Sequence, residues 1–296
     1  MDIFLLLTNL LLLLFWVRLW SQPDRELYFN PLLSAPTRLT DRVLDFLRPA
    51  LPLPERLTTL LLLVFLLAFR GAAWHHLRPE EPWAVAIGPL FRFVPREPGV
   101  AGALAFSLLS FLFFIACYWG AYVLTQFLTP VRRRDRTSEA FRFAALPLAA
   151  LPRGAQLLLL LAVHGVLVYV LCLIGSPGTA PTPQASPGTA PTVALPALTL
   201  TLQPIQLVYM GLLSVADLLV TALHLMFALL VGSFAAALLQ NPATGILCNE
   251  GIATLLGTRR RLMIGFLDLT PLLYLIALHL LYLQAVCPFL IARIGG

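Results

Sequence analysis

The chain has 296 residues, of which 59% are hydrophobic and only 11% are charged, and its mean hydropathy is +0.86. A water-soluble domain could not bury that much apolar surface, and several apolar runs approach or exceed the roughly 20 residues that cross a hydrocarbon core. The net charge is +6, but no nucleic-acid-binding module accompanies it, so nucleic acid is not an expected partner. The sequence predicts an all-α, polytopic transmembrane helical bundle.

Six membrane spans are predicted, and the first begins close to the N-terminus. That apolar run has neither a basic n-region nor a small-residue cleavage pattern, and Trp16 and Trp20 follow it, so an uncleaved span is favoured over a signal peptide. The fifth span is longer than a perpendicular crossing requires, which predicts tilt or projection beyond the membrane. The predicted spans are residues 3–20, 57–74, 102–128, 156–175, 205–239 and 267–291.

Arginine placement predicts the orientation, since all 20 basic residues are arginine. The loops after spans 1, 3 and 5 hold 14 of them. The other loops and both tails hold 5 when Arg70 is counted with the loop after span 2. Cytoplasmic loops carry an excess of basic residues. We therefore expect the odd-numbered loops in the cytoplasm and both termini outside.

The first predicted cytoplasmic loop contains an amphipathic stretch, TRLTDRVLDFLRP. Thr37 or Thr40 is the predicted helix cap, and Pro49 is the predicted stop. Such a short helix would lie flat in the membrane interface. It either returns the chain to the membrane or presents a surface to anionic lipid or a partner protein. The apolar side chains at helical spacing are Leu39, Val43, Phe46 and Leu47.

Three span–loop–span units divide the chain. Residues 38–54 and 136–152 align without a gap at an offset of 98, which predicts an internal repeat. The segment between the second and third units is rich in Pro, Gly, Ser and Thr, and its composition predicts an extended, mobile linker. The predicted divisions are units at 1–75, 101–175 and 205–296, an external loop at 76–100 and the linker at 176–204.

Ionisable residues at membrane depth are costly, so each one is a candidate site. Asp217 and His224 lie seven residues apart in the fifth span and share a helical face, which makes them a candidate polar site. His164, His224 and His279 are candidate haem ligands, because histidines on facing helices commonly ligate haem iron. Asp and His in series could equally relay protons, and each histidine could simply hydrogen-bond a neighbouring helix.

Other chemistry has no sequence signal. The four cysteines form no CxxC pair, so neither a zinc site nor a disulfide framework is predicted. The sequence contains no nucleophile elbow, phosphate loop or HExxH motif, and the loops are too short for a catalytic domain. We expect a non-enzymatic protein without a bound metal.

The last span begins with Asp268-Leu-Thr-Pro271. Thr270 is a suitable N-cap and Pro271 a suitable first helical residue, because proline lacks the N–H that would be unsatisfied there. Asp268 would lie near the positive end of the helix dipole. These residues have a structural explanation that requires no chemistry.

The same residues belong to a pattern that resembles the YggT family of small bacterial and plastid membrane proteins. That family pairs two spans around a loop with an Asn-Pro near its start, an arginine-bearing middle and a Gly-x-x-Asp-x-Ser/Thr-Pro lead into the second span. The resemblance covers residues 205–291, and a weaker one covers 3–73, where Asn30-Pro31 is present but the Gly-Asp-Thr-Pro element is missing. The matching residues are Asn241, Pro242, Arg260, Gly265, Asp268, Thr270 and Pro271.

The resemblance implies a role in envelope, cell-division or osmotic-stress processes, and plastid relatives are linked to cytochrome b6 haem assembly and nucleoid distribution. It implies no catalytic residues. The expected function is a membrane scaffold or assembly factor whose partners are the lipid bilayer and other membrane proteins. The alternatives are a transporter or channel in the osmotic response and a haem-handling factor for cytochrome assembly.

Overall fold

The fold was taken from a computed structural model. It describes residues 3–20, 31–50, 52–77, 83–88, 91–96, 99–128, 142, 145–178, 204–256, 263–264, 267–268 and 270–295. Within these residues the protein is an all-α bundle with a small amount of β-structure, as predicted. The helices are α1 Ile3–Trp20, α2 Pro31–Leu47, α3 Glu55–Leu77, α4 Val100–Leu128, α5 Arg153–Ile174, α6 Pro204–Leu238, α7 Pro242–Leu256, α8 Thr270–Leu280, a π-helical segment Leu281–Val286 and α9 Cys287–Gly295, with a 3-10 turn at Leu148–Ala150.

Five helices are long and apolar enough to cross a membrane: α3, α4, α5, α6 and the continuous helix from α8 through α9. Helix α1 is an 18-residue apolar helix that occupies the first predicted span. The observed helices agree with the predicted spans within a few residues at each end. The protein is therefore a multi-pass membrane protein.

Two small β-structures accompany the helices. Strands β1 Val85–Ile87 and β2 Phe91–Pro95 form an antiparallel hairpin, and β3 Gly175–Gly178 adds to β2 on its other side. Strands β4 Met263–Ile264 and β5 Leu267–Asp268 form a second, very short hairpin. The hairpin lies within the predicted external loop at 76–100, and residues 176–178 of the predicted linker pair with β2.

The core consists of two main apolar clusters with α4 running through both. One cluster joins α1, α3, α4 and α5. The other surrounds the hairpin with side chains of α4, α5, α6 and α9. Helices α3 and α4 come close together at Gly71, where an added Cβ would lie 2.9 Å from the carbonyl oxygen of Ala103. Close backbone approach of this kind is typical of membrane helices, since lipid provides no hydrophobic force between them.

Helix α2 confirms the predicted amphipathic helix but changes its boundaries. It begins at Pro31, so Thr37 and Thr40 lie within the helix and the predicted capping role was wrong. Thr40 instead donates its hydroxyl to the carbonyl of Thr37 at 2.8 Å. Phe46, on the predicted apolar face, is 82% exposed. Val43 of the same face packs against the core instead. The exposed part of the face, at Leu39 and Phe46, is what the membrane interface is available to cover.

Candidate functional site

The hairpin of β1 and β2 buries one of its faces against the helical bundle. Its sequence, WAVAIGPLFRFVP, alternates large apolar residues with other residues on both sides of a Gly-Pro pair, which is the pattern of a strand with one buried face. Backbone away from water is tolerated inside a membrane protein when the protein itself satisfies its polar groups. Strand β2 meets this condition because it pairs with β1 and β3. The buried side chains are Trp83, Val85, Ile87, Phe91 and Phe93.

The base of the hairpin is fixed to the C-terminal end of α5. Strand β3 follows α5 directly, and Pro95 pairs with Gly175. Arg96 donates from Nε to the carbonyl of Gly175 and from Nη2 to the carbonyl of Cys172, both at 2.9 Å. A cation at this position satisfies helix carbonyls that have no partner within the helix and interacts favourably with the helix dipole.

The tip of the hairpin reaches about half-way along α5. Gly88 at the tip contacts Asp217, which lies one turn beyond Ser214 on α6. Ser214 bonds to His164, which lies ten residues before the end of α5. Ten helical residues correspond to about 15 Å, roughly half of the thickness of a hydrocarbon core. The hairpin is therefore a re-entrant element: it leaves one end of the bundle and returns into its middle.

Asp217 connects the hairpin tip to the last helix. The Gly88 amide donates to Oδ2 at 2.8 Å, and the Tyr282 hydroxyl donates to Oδ1 at 2.5 Å. Tyr282 is buried within the π-helical segment and also hydrogen-bonds to the side chain of Cys287. Segments of π-helix are rare and are frequently found at functional sites. A strand hairpin and a π-helical segment thus meet at one carboxylate within the membrane-spanning region.

Gly88 suits this position for a conformational and a steric reason. Its φ of +62° is in the left-handed region that glycine adopts without strain. A Cβ there would lie 3.0 to 3.2 Å from the side-chain carbons of Leu213. The tip can therefore bring its amide to Asp217 only because the residue has no side chain.

His164 is fully buried on α5. Its Nδ1 lies 2.7 Å from the Ser214 hydroxyl. Its Nε2 has no partner of hydrogen-bonding geometry among the described residues, although the backbone of Ala116 interacts with the ring. This arrangement joins α5 to α6 one turn before Asp217.

A second buried charge, Arg70, holds the base of the hairpin. The side chain is 1% exposed and donates from Nε to Ser107 Oγ at 3.0 Å and from Nη2 to Ser110 Oγ at 2.8 Å. It also donates to Asn9 Oδ1 and to the carbonyl of Ser107. The Trp83 ring lies over the guanidinium, 4.8 Å from its carbon to the ring centroid. Arg70 thereby joins α1, α3, α4 and the hairpin through neutral partners, which offset the cost of burying a charge.

A third polar cluster lies at the C-terminal end of α1, around Arg18. Arg18 Nη2 is 2.8 Å from Asp41 Oδ1 on α2 and 2.5 Å from Glu55 Oε1 on α3. The Arg18 side chain is 7% exposed, so the two ion pairs are largely shielded from solvent. They fix the interfacial helix α2 against the two long helices of the first unit.

The predicted motif residues Asn241 and Pro242 form the turn between α6 and α7. Asn241 Oδ1 accepts the Thr244 amide at 3.2 Å, which is an N-cap, and Pro242 is the first residue of α7. Gln240 has a φ of 52°, and the Asn241 amide donates back to the Ala236 carbonyl at 2.9 Å. The Asn-Pro pair therefore ends one helix and starts the next within two residues.

A groove of about 570 Å³ lies beside this turn. Its walls combine small side chains with amides, and Ser233 Oγ donates to Asn249 Oδ1 at 3.0 Å within it. The groove is open to the outside of the protein. The residues that line it include Ser233, Ala237, Asn241, Gly245 and Asn249.

The structure separates the three candidate haem ligands by environment. His164 is buried against Ser214, whereas His224 and His279 have exposed side chains on α6 and α8. Asp217 is part of the hairpin site, where it bonds to Gly88 and Tyr282, whereas the His224 side chain is exposed. In the described part of the chain, no group of three or more His, Cys, Asp or Glu side chains is arranged to hold a metal ion. Haem binding stays a prediction.

The remaining predicted motif residues lie near the short second hairpin. Arg260 and Gly265 are outside the described residues. The backbone of Asp268 pairs with Met263 in β4 and β5. Helix α8 begins at Thr270, so Thr270 and Pro271 are its first two residues and the helix starts one residue earlier than predicted.

Sequence reasoning missed Arg70, Tyr282 and the hairpin. Arg70 had a signal, because it interrupts the apolar run LLLLVFLLAFRGAAW, but it was assigned to the loop after the second span instead of to α3. The hairpin also had a signal in its alternating pattern. Tyr282 had none that distinguishes it from other tyrosines in apolar helices.

No protein-family model, no curated protein and no solved structure matches this chain. The geometry of these sites therefore carries the functional conclusion.

Proposed function

We propose that this membrane protein is a non-enzymatic scaffold or assembly factor of a bacterial inner membrane, and that its C-terminal unit, α6 to α9, docks other membrane proteins. The observation that carries the proposal is the poor internal coverage of α6. This helix has 35 residues, yet only 12% of its membrane-spanning window is buried within the protein. At 1.5 Å per residue it is about 52 Å long, well beyond the thickness of a hydrocarbon core.

The chemistry of the α6–α7 groove supports a protein partner over lipid alone. Small residues allow the backbone of another helix to approach closely, and side-chain amides can hydrogen-bond across a helix interface. Ala237, Gly245 and Asn249 combine both features in one groove. Large apolar side chains around it are exposed, including Phe234 at 68% and Ile246 at 58%. A transmembrane or interfacial helix of a partner would cover both the groove and the exposed apolar side chains around it.

The resemblance to the YggT family supports the same assignment. The part of the chain that resembles the family is the C-terminal unit, and the Asn241-Pro242 pair of that resemblance forms one edge of the groove. Envelope and cell-division roles implied by the family are those of membrane assembly. With both termini outside, the groove would face the cytoplasmic side of the membrane.

Site-specific photocrosslinking in living cells tests the docking surface. A photoreactive amino acid is introduced in place of Ala237 or Ile246 in the groove, and in place of Leu158 as the control, which is 71% exposed on α5. We expect discrete crosslinks to one or a few membrane proteins from the groove positions and none from Leu158. Identical patterns from all three positions, or reproducible recovery of the protein alone, would contradict the proposal.

A transporter or channel is the second candidate, and Asp217 is the observation that favours it. Ion and substrate sites of transporters lie near the middle of the membrane, where interrupted helices meet. Asp217 lies where a re-entrant hairpin and a π-helical segment meet. A flux assay in proteoliposomes tests this reading with Asp217→Asn, and His224→Leu serves as the exposed control. Equal flux in the parent and Asp217→Asn proteins would remove it.

A further inference from the structure

We propose that the Asp217 carboxylate is a proton-binding site that latches the re-entrant hairpin, and that binding of a proton releases the hairpin tip from the bundle. This inference is independent of the docking surface on α6 and α7.

The hydrogen bonds at Asp217 define the latch. Both carboxylate oxygens accept, one from the Gly88 amide at 2.8 Å and one from the Tyr282 hydroxyl at 2.5 Å. An ionised carboxylate can accept both bonds, and a backbone N–H can only donate. The observed arrangement therefore matches the ionised form of the side chain.

Adding one proton changes the charge of Asp217 from −1 to 0 and gives one oxygen an O–H group. A proton on Oδ2 turns that oxygen into a neutral hydroxyl, which is a weaker acceptor, so the bond from the Gly88 amide is weakened. A proton on Oδ1 instead turns toward the Tyr282 hydroxyl, which must then direct its own proton elsewhere, toward Cys287. In either case the bond between the carboxylate and the hairpin loses the contribution of a charged acceptor.

The hairpin is held differently at its base and at its tip. At the base, β2 pairs with β3 from Arg92–Gly178 to Pro95–Gly175, and Trp83 packs over Arg70. At the tip, the described polar contact is that of Gly88 with Asp217. The tip packs closely against Leu213, because a Cβ added at Gly88 would lie 3.0 Å from the Leu213 side chain. Ile87 and Phe91 beside the tip also pack in the apolar core. Loss of the Asp217 bond therefore removes the described polar contact of the tip, while the base keeps its strand pairing and the Trp83–Arg70 contact.

Several titratable or charged groups face this region. The last helix contributes Tyr282 and Cys287, and α5 contributes His164, which bonds to Ser214 one turn away, together with buried Cys172. Helix α4 contributes apolar residues to the same core, including Phe113 and Ala116. The hairpin contributes its backbone and half-buried Arg92. Among these groups, the Asp217 carboxylate is the one bonded to the hairpin tip.

Accessibility of engineered thiols at the tip tests the proposal. Ile87→Cys places a thiol at a position with 0% exposure beside the tip, and Ala86→Cys places one at the exposed neighbouring position as the matched control. Each protein is reconstituted in proteoliposomes and treated with a membrane-impermeant maleimide on the side of the 78–99 loop. Modification of each cysteine is quantified by mass spectrometry. The ratio of the two rates cancels the intrinsic pH dependence of thiol reactivity.

We expect this ratio to be low at about pH 8 and to rise at least about tenfold on acidification to about pH 5. In the Asp217→Asn background the ratio should be high and independent of pH, since asparagine carries no charge and keeps one acceptor. A ratio that stays low at every pH in the parent, or that is the same in parent and Asp217→Asn proteins, overturns the proposal.

Two further measurements separate release of the tip from unfolding. Native Cys172 is 3% exposed near the base of the hairpin, so it should stay unmodified when only the tip moves. Tyr282→Phe removes one donor and keeps the carboxylate, so its ratio should still depend on pH. If Cys172 is modified in Asp217→Asn, that variant has unfolded, and the pH titration of the parent then decides the question alone.

Discussion

Helix α4 buries 44% of its membrane-spanning window within the protein, whereas α6 buries 12% and the final helix buries 17%. Several polar side chains show the same contrast. Arg18 and Arg70 are buried and bonded between helices in the first part of the chain, while His224, His279 and Asn241 have exposed side chains in the last part. Asp217 on α6 is the exception, because it bonds to the hairpin and to the last helix. The first five helices with the hairpin form a closed unit, and α6 to α9 form an open one.

The difference shows how a membrane protein separates internal stability from external contact. Lipid is as apolar as leucine, so apolar side chains alone do not hold membrane helices together. The closed unit is held by buried polar contacts and by close backbone approach at Gly71. The open unit is also apolar, but a smaller share of its membrane-spanning windows is buried within the protein, so its surface is available to lipid or to other proteins. The following predictions test this division, beginning with the largest expected effect.

Loss of Arg70 should be the most damaging change to the closed unit. Arg70→Leu removes the links to Asn9, Ser107 and Ser110 and leaves buried polar groups without their partner. We expect a loss of about 3–5 kcal/mol in the free energy of unfolding, measured in detergent micelles. Arg293→Leu is the control, because Arg293 is exposed and lies over Phe289 at 5.7 Å. Equal losses in the two variants would mean that the buried guanidinium does not organise this unit.

Crowding at the α3–α4 contact should have the next largest effect. Gly71→Ala places a Cβ 2.9 Å from the Ala103 carbonyl oxygen and 3.0 Å from the Leu104 Cα, so the two backbones must separate. We expect destabilisation of about 1–3 kcal/mol by thermal unfolding. Gly154→Ala has no atom within 4 Å of the new Cβ and should be neutral or slightly stabilising. If both variants unfold like the parent, the close approach of these helices is not required for stability.

Removal of a helix cap should affect the open unit locally. Asn241→Ala deletes the acceptor of the Thr244 amide, which should cost about 1 kcal/mol and increase hydrogen exchange at the start of α7. Asn249→Ala is the control in the same groove. Asn249 accepts an exposed bond from the Ser233 hydroxyl, so its loss should leave that exchange unchanged. Similar exchange in both variants would show that Asn241 does not cap α7.

Filling the α6–α7 groove should have the smallest effect on stability and the largest effect on partner binding. Ala237→Phe fills the α6–α7 groove from an exposed position and should change the free energy of unfolding by less than about 0.5 kcal/mol. It should nevertheless abolish the crosslinks formed from position 246. Leu158→Phe serves as the control on α5. A filled groove that still yields the same crosslinks would place partner binding elsewhere.

The helices and α2 could be predicted from the sequence because their signal is local. Apolar runs define the spans, and the helical spacing of Leu39, Val43 and Phe46 defines the amphipathic helix. The start of α2 was harder to predict from the sequence, because Pro31 suits the first helical position as well as Thr37 suits the N-cap position. The Asn-Pro pair at residues 241–242 was identified by pattern, and the structure supplies its physical role as a helix stop and start.

The polar site could be predicted only in part, since its contacts are distant in sequence. Asp217 was identified as an ionisable residue in a span, but its partners Gly88 and Tyr282 are 129 and 65 residues away. Arg70 is 37 residues from Ser107 and 61 from Asn9. No periodicity within one helix reveals which residues of another helix will face it. The hairpin was missed because its strands are only 3 and 5 residues long.

The predicted repeat stays a prediction, but helix starts at matching positions agree with it. Helix α3 begins at Glu55 and α5 at Arg153, which differ by the offset of 98 found in the loops. The paired prolines Pro49 and Pro147 both lie in turns before these helices. In the first and third units, α2 and α7 each begin with a proline, Pro31 and Pro242.

The pairing of β2 with β3 has a consequence for biogenesis. Strand β3 is translated about 80 residues after β2, and α5 must be threaded into the membrane between them. Until Gly175 has been synthesised, β2 has an unpaired edge, and only part of the helical bundle has formed. The nascent chain must therefore keep this segment from pairing with other exposed strands, and insertion of α5 is the step that closes it.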